Sequence, residues 1–280
     1  MNRPTSLTLV PVGGLANRMK AIDAALNMIQ GTECRLHIIW FKDKGLNCRF
    51  EELFKPFDRR HVVLREARKS DFIAYDRPRK RNGWLPRLFQ LIGFDDCVYE
   101  DRATQLFYQH FDFRSWINGK NVYLASCVYF QPIEEGMPFR SFQPIDTLQK
   151  RIDEVCTTFP DRTIGIHIRR TDNVASLRES PTELFIERIR QEIDKDPDVR
   201  FYLASDSDED KYLLKKRFGH HIMTSGRPTD RNSVKGMQDA LVELFILSKT
   251  EKIIGSVKSS YSETAAQLSN ISCELLKRPL

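Results

Sequence analysis

The chain has 280 residues, and at roughly 150 residues per domain that length points to two domains. Its composition is 41% hydrophobic, 10% aromatic and 29% charged with a net charge of +6, which is ordinary globular usage and excludes a disordered or fibrous chain. No apolar run approaches the ~18–20 residues of a membrane-spanning helix, and the N-terminus leads into a strand-like run unlike a signal peptide, so a cytoplasmic protein is expected.

Residues 7–12 are extended and β-prone, and Gly13-Gly14 breaks them. Ala21, Ile22, Ala25, Met28 and Ile29 then recur at helical spacing until Gly31, and residues 34–41 read as a second strand. A strand–helix–strand unit of this kind implies a parallel sheet. Further strands are expected at 61–64 and 122–125. Between them, residues 55–90 hold eleven basic residues against four acids, a surplus larger than that of the whole chain. That segment reads either as a solvated loop or as a surface for an anionic partner, such as a phosphorylated acceptor or a membrane. Nucleic acid ranks last, because no aromatic residues alternate regularly with the charges.

From residue 145 the β/α alternation is strict. Helices are expected at 145–159, 182–195 and 208–218, along the stripe from Met237 to Leu247, and from Ser260, where Ser260 and Glu263 have capping-box spacing. Strands are expected at 163–168, 199–204, 221–223 and 252–255. The pattern predicts a layered Rossmann-like domain over 146–280, following another over 1–145. The six cysteines are far apart and form no C-x-x-C pair, so free thiols are expected and structural zinc is not.

In parallel α/β sheets ligands bind beyond the carboxyl ends of the strands. Arg169-Arg170-Thr171-Asp172 follow strand 163–168, and Ser205-Asp206-Ser207-Asp208 follow strand 199–204. Ser256 and the run Ser259-Ser260-Tyr261-Ser262 follow strand 252–255. Period-two alternation places Ile164, Ile166 and Ile168 on one face and Gly165, His167 and Arg169 on the other. A guanidinium at that edge can hold phosphate oxygens bidentately, though a local salt bridge to Asp172 is an equally simple use of it. The serine run opens a helix, whose unpaired N–H groups and dipole favour an anion, while simple capping would also account for it. Gly13-Gly14 permits close backbone approach but is neither a dinucleotide fingerprint nor a P-loop. Asp206-Ser207-Asp208 has the letters of a D-x-D metal motif in a helix-capping context, so no metal is expected there.

Three segments together resemble the GDP-fucose-dependent fucosyltransferases, a superfamily that takes in the α1,6-, α1,2- and protein O-fucosyltransferases and the rhizobial nodulation enzymes. They are residues 12–18 (Val-Gly-Gly-Leu-Ala-Asn-Arg), the block His167-Ile168-Arg169-Arg170-Thr171-Asp172, and Ile253-Ile254-Gly255-Ser256 with Ser259-Ser260-Tyr261-Ser262. Ser233-Val234-Lys235-Gly236 is similar to a segment of the α1,6 group. The likeness covers about 12–20 and 160–270, whereas 45–145 matches no known pattern.

The resemblance implies a GT-B fold, two Rossmann-like domains facing across a cleft. Residues 1–145 would serve the acceptor and 146–280 would hold GDP-fucose. It also implies inverting transfer without a metal or other cofactor. Arg169 would stabilise the departing diphosphate with help from Arg170. His167, Asp206, Ser259, Ser260, Tyr261 and Ser262 would line the nucleotide site, and Glu243 stands where the α1,6 group carries an acid that contacts guanine. Gly13, Gly14, Asn17 and Arg18 would face the site from the other domain. The position where that group carries its general base is Leu177 here, so Glu179 is the candidate base and Asp172 the second. The expected partners are GDP-fucose and a glycan acceptor, lipid-linked if the basic 55–90 segment sits at the inner membrane face. Two rivals stay open: a GT-B transferase for another nucleotide sugar, and a non-catalytic nucleotide- or polyanion-binding protein.

Overall fold

The computed structural model describes residues 5–43, 46–76, 84–131, 138–170, 174–225, 230 and 232–278. The chain divides at Gln143/Pro144 into two compact units.

Unit 1 runs β1 (Ser6–Pro11), α1 (Leu15–Met28), β2 (Arg35–Trp40), β3 (Val62–Glu66), α2 (Asp71–Ala74), α3 (Trp84–Gly93), β4 (Asp96–Val98), α4 (Glu100–Tyr108), α5 (Phe113–Ile117) and β5 (Asn121–Ser126). Its five strands pair in parallel in the order β3-β2-β1-β5-β4. Strands β1 and β5 are buried along nearly their whole length, as a central strand covered on both faces must be. Val10, Val12, Ile39, Phe41, Tyr123 and Ala125 form one of its cores. The strand expected at 61–64 is an edge strand at 62–66, and the loop reading of the rest of 55–90 is corrected in part, since 71–74 and 84–93 are helical.

Unit 2 runs α6 (Asp146–Cys156), β6 (Thr163–Ile168), α7 (Val174–Glu179), α8 (Thr182–Lys195), β7 (Arg200–Ser205), α9 (Asp208–Phe218), β8 (Ile222–Met223), α10 (Val234–Leu247), β9 (Lys252–Ser256), α11 (Ser260–Ser269) and β10 (Ser272–Leu276). The sheet is parallel throughout, ordered β10-β9-β6-β7-β8. All six residues of β6 are buried. The isoleucine face joins Phe185 and Ile189 of α8, Phe201 and Leu203 of β7, and Leu214 of α9, each side chain contributing roughly 1.5–3 kcal/mol by burial. On the opposite face position 165 has room only for glycine: a Cβ there would lie 2.8 Å from Thr250 Oγ1 and 3.0 Å from Leu247 Cδ2.

In both units the strand order reverses beside the first strand, at β1/β5 and at β6/β9. These are topological switch points, where the chain leaves a crevice beyond the strand ends. Unit 2 has the order of a Rossmann half. Unit 1 differs, because the chain places β4 at the far edge before returning to β5. The six cysteines are free.

Candidate functional site

Three adjacent strand ends in unit 2 meet at its switch point. Arg169 follows β6, its backbone N–H donates to Ser256 Oγ at the end of β9 (3.1 Å), and its Nη1 lies 3.0 Å from Asp206 Oδ2 beyond β7. The other Asp206 oxygen accepts from the Arg170 N–H at 2.6 Å. One carboxylate therefore ties two strand ends and orients one guanidinium. The Arg169 side chain keeps 18% of its surface open while Asp206 keeps 5%, so the cation, not the anion, is the group presented at this edge.

Its neighbour is used differently. Arg170 Nε donates to Asp210 at 2.9 Å, Nη1 to the carbonyls of Arg169 and Ser180, and Nη2 to Thr182 Oγ1, which in turn donates to Asp210. Those bonds clamp the loop after β6 onto α8 and α9. Arg170, expected to assist at the diphosphate, is placed one residue after Arg169 with its guanidinium engaged in fastening this loop. Asp206 and Asp210 are the oriented carboxylates near the D-x-D letters, and both face guanidinium groups. Ser207 caps α9 by accepting from the Asp210 N–H.

His167 lies on the same face of β6 as Gly165, wholly buried. Its Nδ1 is 2.7 Å from Ser262 Oγ and 3.4 Å from Ser259 Oγ, and Tyr261 stacks on the ring at 4.6 Å. Burial, with Arg169 and Arg170 nearby, drives its pKa down to about 3, so at ordinary pH the imidazole is neutral and carries a proton on one ring nitrogen only. Gly255 makes this packing possible, since a Cβ there would overlap Ser262 Oγ. Tyr261 donates its hydroxyl to the Ala240 carbonyl at 2.5 Å.

Helix α11 has Ser259 as N-cap with no side-chain capping bond. The expected capping box from Ser260 is thus corrected: Ser260 is already in the first turn, and Ser259 Oγ is turned to His167. Ser259 and Ser262 are buried, while Ser260 is half-buried. The helix N-terminus keeps its anion preference beside Arg169's strand.

Glu243, on α10, accepts from Ser225 Oγ at 2.6 Å and lies 3.6 Å from Lys211 Nζ. Burial raises its pKa, partly offset by Lys211 and Ser225. Glu179 lies 3.2 Å from Lys258 Nζ and 3.6 Å from Lys277 Nζ. Lys258 first, then Lys277, holds its carboxyl below the usual range, which makes it a weak proton acceptor. Asp172 lies outside the described residues.

In unit 1, Gly13 takes φ +85 and Asn17 folds over it, close enough that a Cβ at Gly13 would sit 2.9 Å from Asn17 Nδ2. Gly14 is the N-cap of α1, without a side-chain bond. Arg18, expected at the ligand side, is 0% exposed, donating to the Gly13 and Phe41 carbonyls and to Asp43 over the Trp40 ring. Sequence reasoning placed Ser256 at a strand end without giving it a partner, and gave no role to Asp210, Thr182 or Lys211.

No protein-family model and no curated protein sequence matches the chain. Solved structures do. The fucosyltransferase NodZ from Bradyrhizobium superposes with a TM-score of 0.63 at 17% identity over 94% of this chain and 93% of that one. An arginine-to-lysine mutant of Arabidopsis thaliana FUT1 in complex with GDP gives 0.64 at 14% identity over 99% and 71%. POFUT1 in complex with GDP gives 0.54 at 10% over 99% of both chains. At these identities the likeness is one of fold: two parallel, Rossmann-like sheets of five strands each.

Proposed function

We propose that the protein is an inverting, metal-independent glycosyltransferase that moves fucose from GDP-fucose to a hydroxyl of a glycan acceptor, lipid-linked or free, in the cytoplasm. Unit 2 takes the donor and unit 1 the acceptor. The observation that carries this reading is Arg169, held by Asp206 and Ser256 at the β6/β9 switch point beside the N-terminus of α11. GDP departs with a bond's electron pair on its β-phosphate oxygen, and a fixed guanidinium with helix N–H groups stabilises that charge where other transferases use a divalent ion. Solved structures of the same fold contain GDP or GDP-fucose, which supports the donor.

The acceptor oxygen attacks the anomeric carbon from the face opposite GDP, so one displacement inverts the centre. Its proton needs a carboxylate. Glu179 is a weak acceptor beside Lys258 and Lys277, so the role is assigned to Asp172, with Glu179 clamping the loop. Neutral, buried His167 shapes the nucleotide site without transferring a proton, and Glu243 with Lys211 and Ser225 offers a polar end for the base.

Calorimetry with GDP tests the reading. Binding in the micromolar range is expected, unchanged by EDTA and lost in Arg169→Ala. Folded wild type that binds no GDP, or that releases UDP from a donor panel faster than GDP, overturns it.

A further inference from the structure

Helix α3 is folded with its apolar face outward. The positions it turns inward are Pro86 and Gln90, and the fully buried Gln90 donates to the Ala74 carbonyl at 3.1 Å. Trp84, Leu85, Leu88, Phe89, Leu91 and Ile92 occupy one continuous arc facing solvent, with Trp84 at 75%, Leu91 at 71% and Ile92 at 78% exposure. Helix α2 packs against α3 and adds Phe72 and Ile73, also exposed. Monomeric proteins rarely leave such a contiguous patch uncovered.

Charge says what covers it. Arg68 and Lys69, just before α2, are exposed. Three of the segment's four acids are turned inward. Asp71 is buried against Arg65 at 2.6 Å, Asp76 accepts from Tyr123 Oη at 2.8 Å, and Glu66 accepts from the Phe50 N–H at 3.0 Å. Among the described residues, the surface at the α2 end of the apolar arc is therefore cationic. A second copy of this chain would bring the same positive charge against it. An anionic bilayer instead offers phosphates to the basic residues and an acyl boundary to the apolar ones. Among the described residues no helix is long and apolar enough to cross a membrane, so such contact would be interfacial.

We propose that the α2–α3 face seats the protein on an anionic lipid surface. Trp84, Leu88, Leu91 and Ile92 enter the headgroup–acyl boundary, while Arg68 and Lys69 meet headgroup phosphates. The proposal stands apart from the donor chemistry, because vesicle binding needs neither donor nor turnover.

The full chain carries its own reporter. Of three tryptophans, Trp40 and Trp116 are buried and Trp84 is exposed. Phosphatidylserine-containing vesicles should blue-shift the tryptophan emission and sediment the protein. Pure phosphatidylcholine vesicles should bind roughly tenfold or more weakly, and added salt should weaken the anionic binding. Leu91→Ser/Ile92→Ser changes only exposed side chains and should lower vesicle binding on the order of tenfold with the melting temperature unchanged. Arg68→Glu/Lys69→Glu should remove the preference for phosphatidylserine. Equal sedimentation with both lipids, or an unmoved emission maximum, overturns the proposal. So does a dimer in lipid-free buffer that Leu91→Ser/Ile92→Ser dissociates, since a second copy then covers the face.

Discussion

Arg169→Lys keeps a positive charge at the switch point and removes the planar fork. The guanidinium is oriented by Asp206 at 3.0 Å, with only 18% of its side chain open. An ammonium in its place can satisfy Asp206 or a phosphate oxygen, but it cannot present two parallel N–H groups to the diphosphate. Losing one charge-assisted hydrogen bond removes about 1.5–3 kcal/mol, which corresponds to roughly a 10- to 150-fold weaker GDP affinity. Where charge develops only in the transition state, loss of such a donor lowers kcat by roughly 100- to 1,000-fold. Arg169→Ala is the less informative variant, because it also leaves the nearly buried Asp206 with weaker electrostatic support, at about 3 kcal/mol of stability. Calorimetry, urea unfolding and steady-state GDP release on Arg169→Lys separate these effects. A variant that unfolds like wild type but binds GDP more weakly and turns over far more slowly is expected. If it matches wild type in affinity and kcat, Arg169 does not contact the diphosphate and the mechanistic reading fails.

Gly255→Ala should destabilise the protein by about 1–3 kcal/mol and weaken GDP binding, because its Cβ would push Ser262 and the start of α11 off His167; an unchanged melting temperature would contradict this packing. His167 has its folded pKa lowered to about 3 from an unfolded 6.5. Below pH 6.5 the unfolded chain therefore binds a proton that the folded chain refuses, and stability falls as pH drops toward 3, by at most about 1.4 kcal/mol per unit. Unfolding free energies between pH 6.5 and 5 should fall more steeply for wild type than for His167→Gln, and parallel profiles would refute the buried neutral histidine. Asp172→Asn should lower kcat by roughly 100-fold or more, whereas Glu179→Gln should stay within a few-fold and mainly loosen the link to Lys258 and Lys277. Rates in the reverse order would return the base to Glu179.

The second half of the chain was legible because its signals are local. Residues 163–168, 182–195 and 208–218 have the same bounds in sequence and structure, since period-two and helical spacing, with caps such as Ser207, lie within a few residues of each other. Strands β4 and β10 were missed. One has three residues and the other is an edge strand of mixed polarity, and each exists mainly because a neighbouring strand offers hydrogen bonds. Helix α3 shows a limit of another kind. Periodicity reveals an apolar stripe but not whether it faces a core, and here Gln90 went inward to the Ala74 carbonyl instead.

The arginines divide in the same way. Sequence alone placed Arg18, Arg169 and Arg170 beyond strand ends, because alternation and chain order are properties of the local backbone. Which guanidinium stays partly open was decided by residues far along the chain. Asp43 and the Phe41 carbonyl close over Arg18, Asp210 and Thr182 hold Arg170, and Asp206 with Ser256 orients Arg169. A buried cation needs partners, and only the folded sheet order determines which carboxylates and carbonyls each arginine receives.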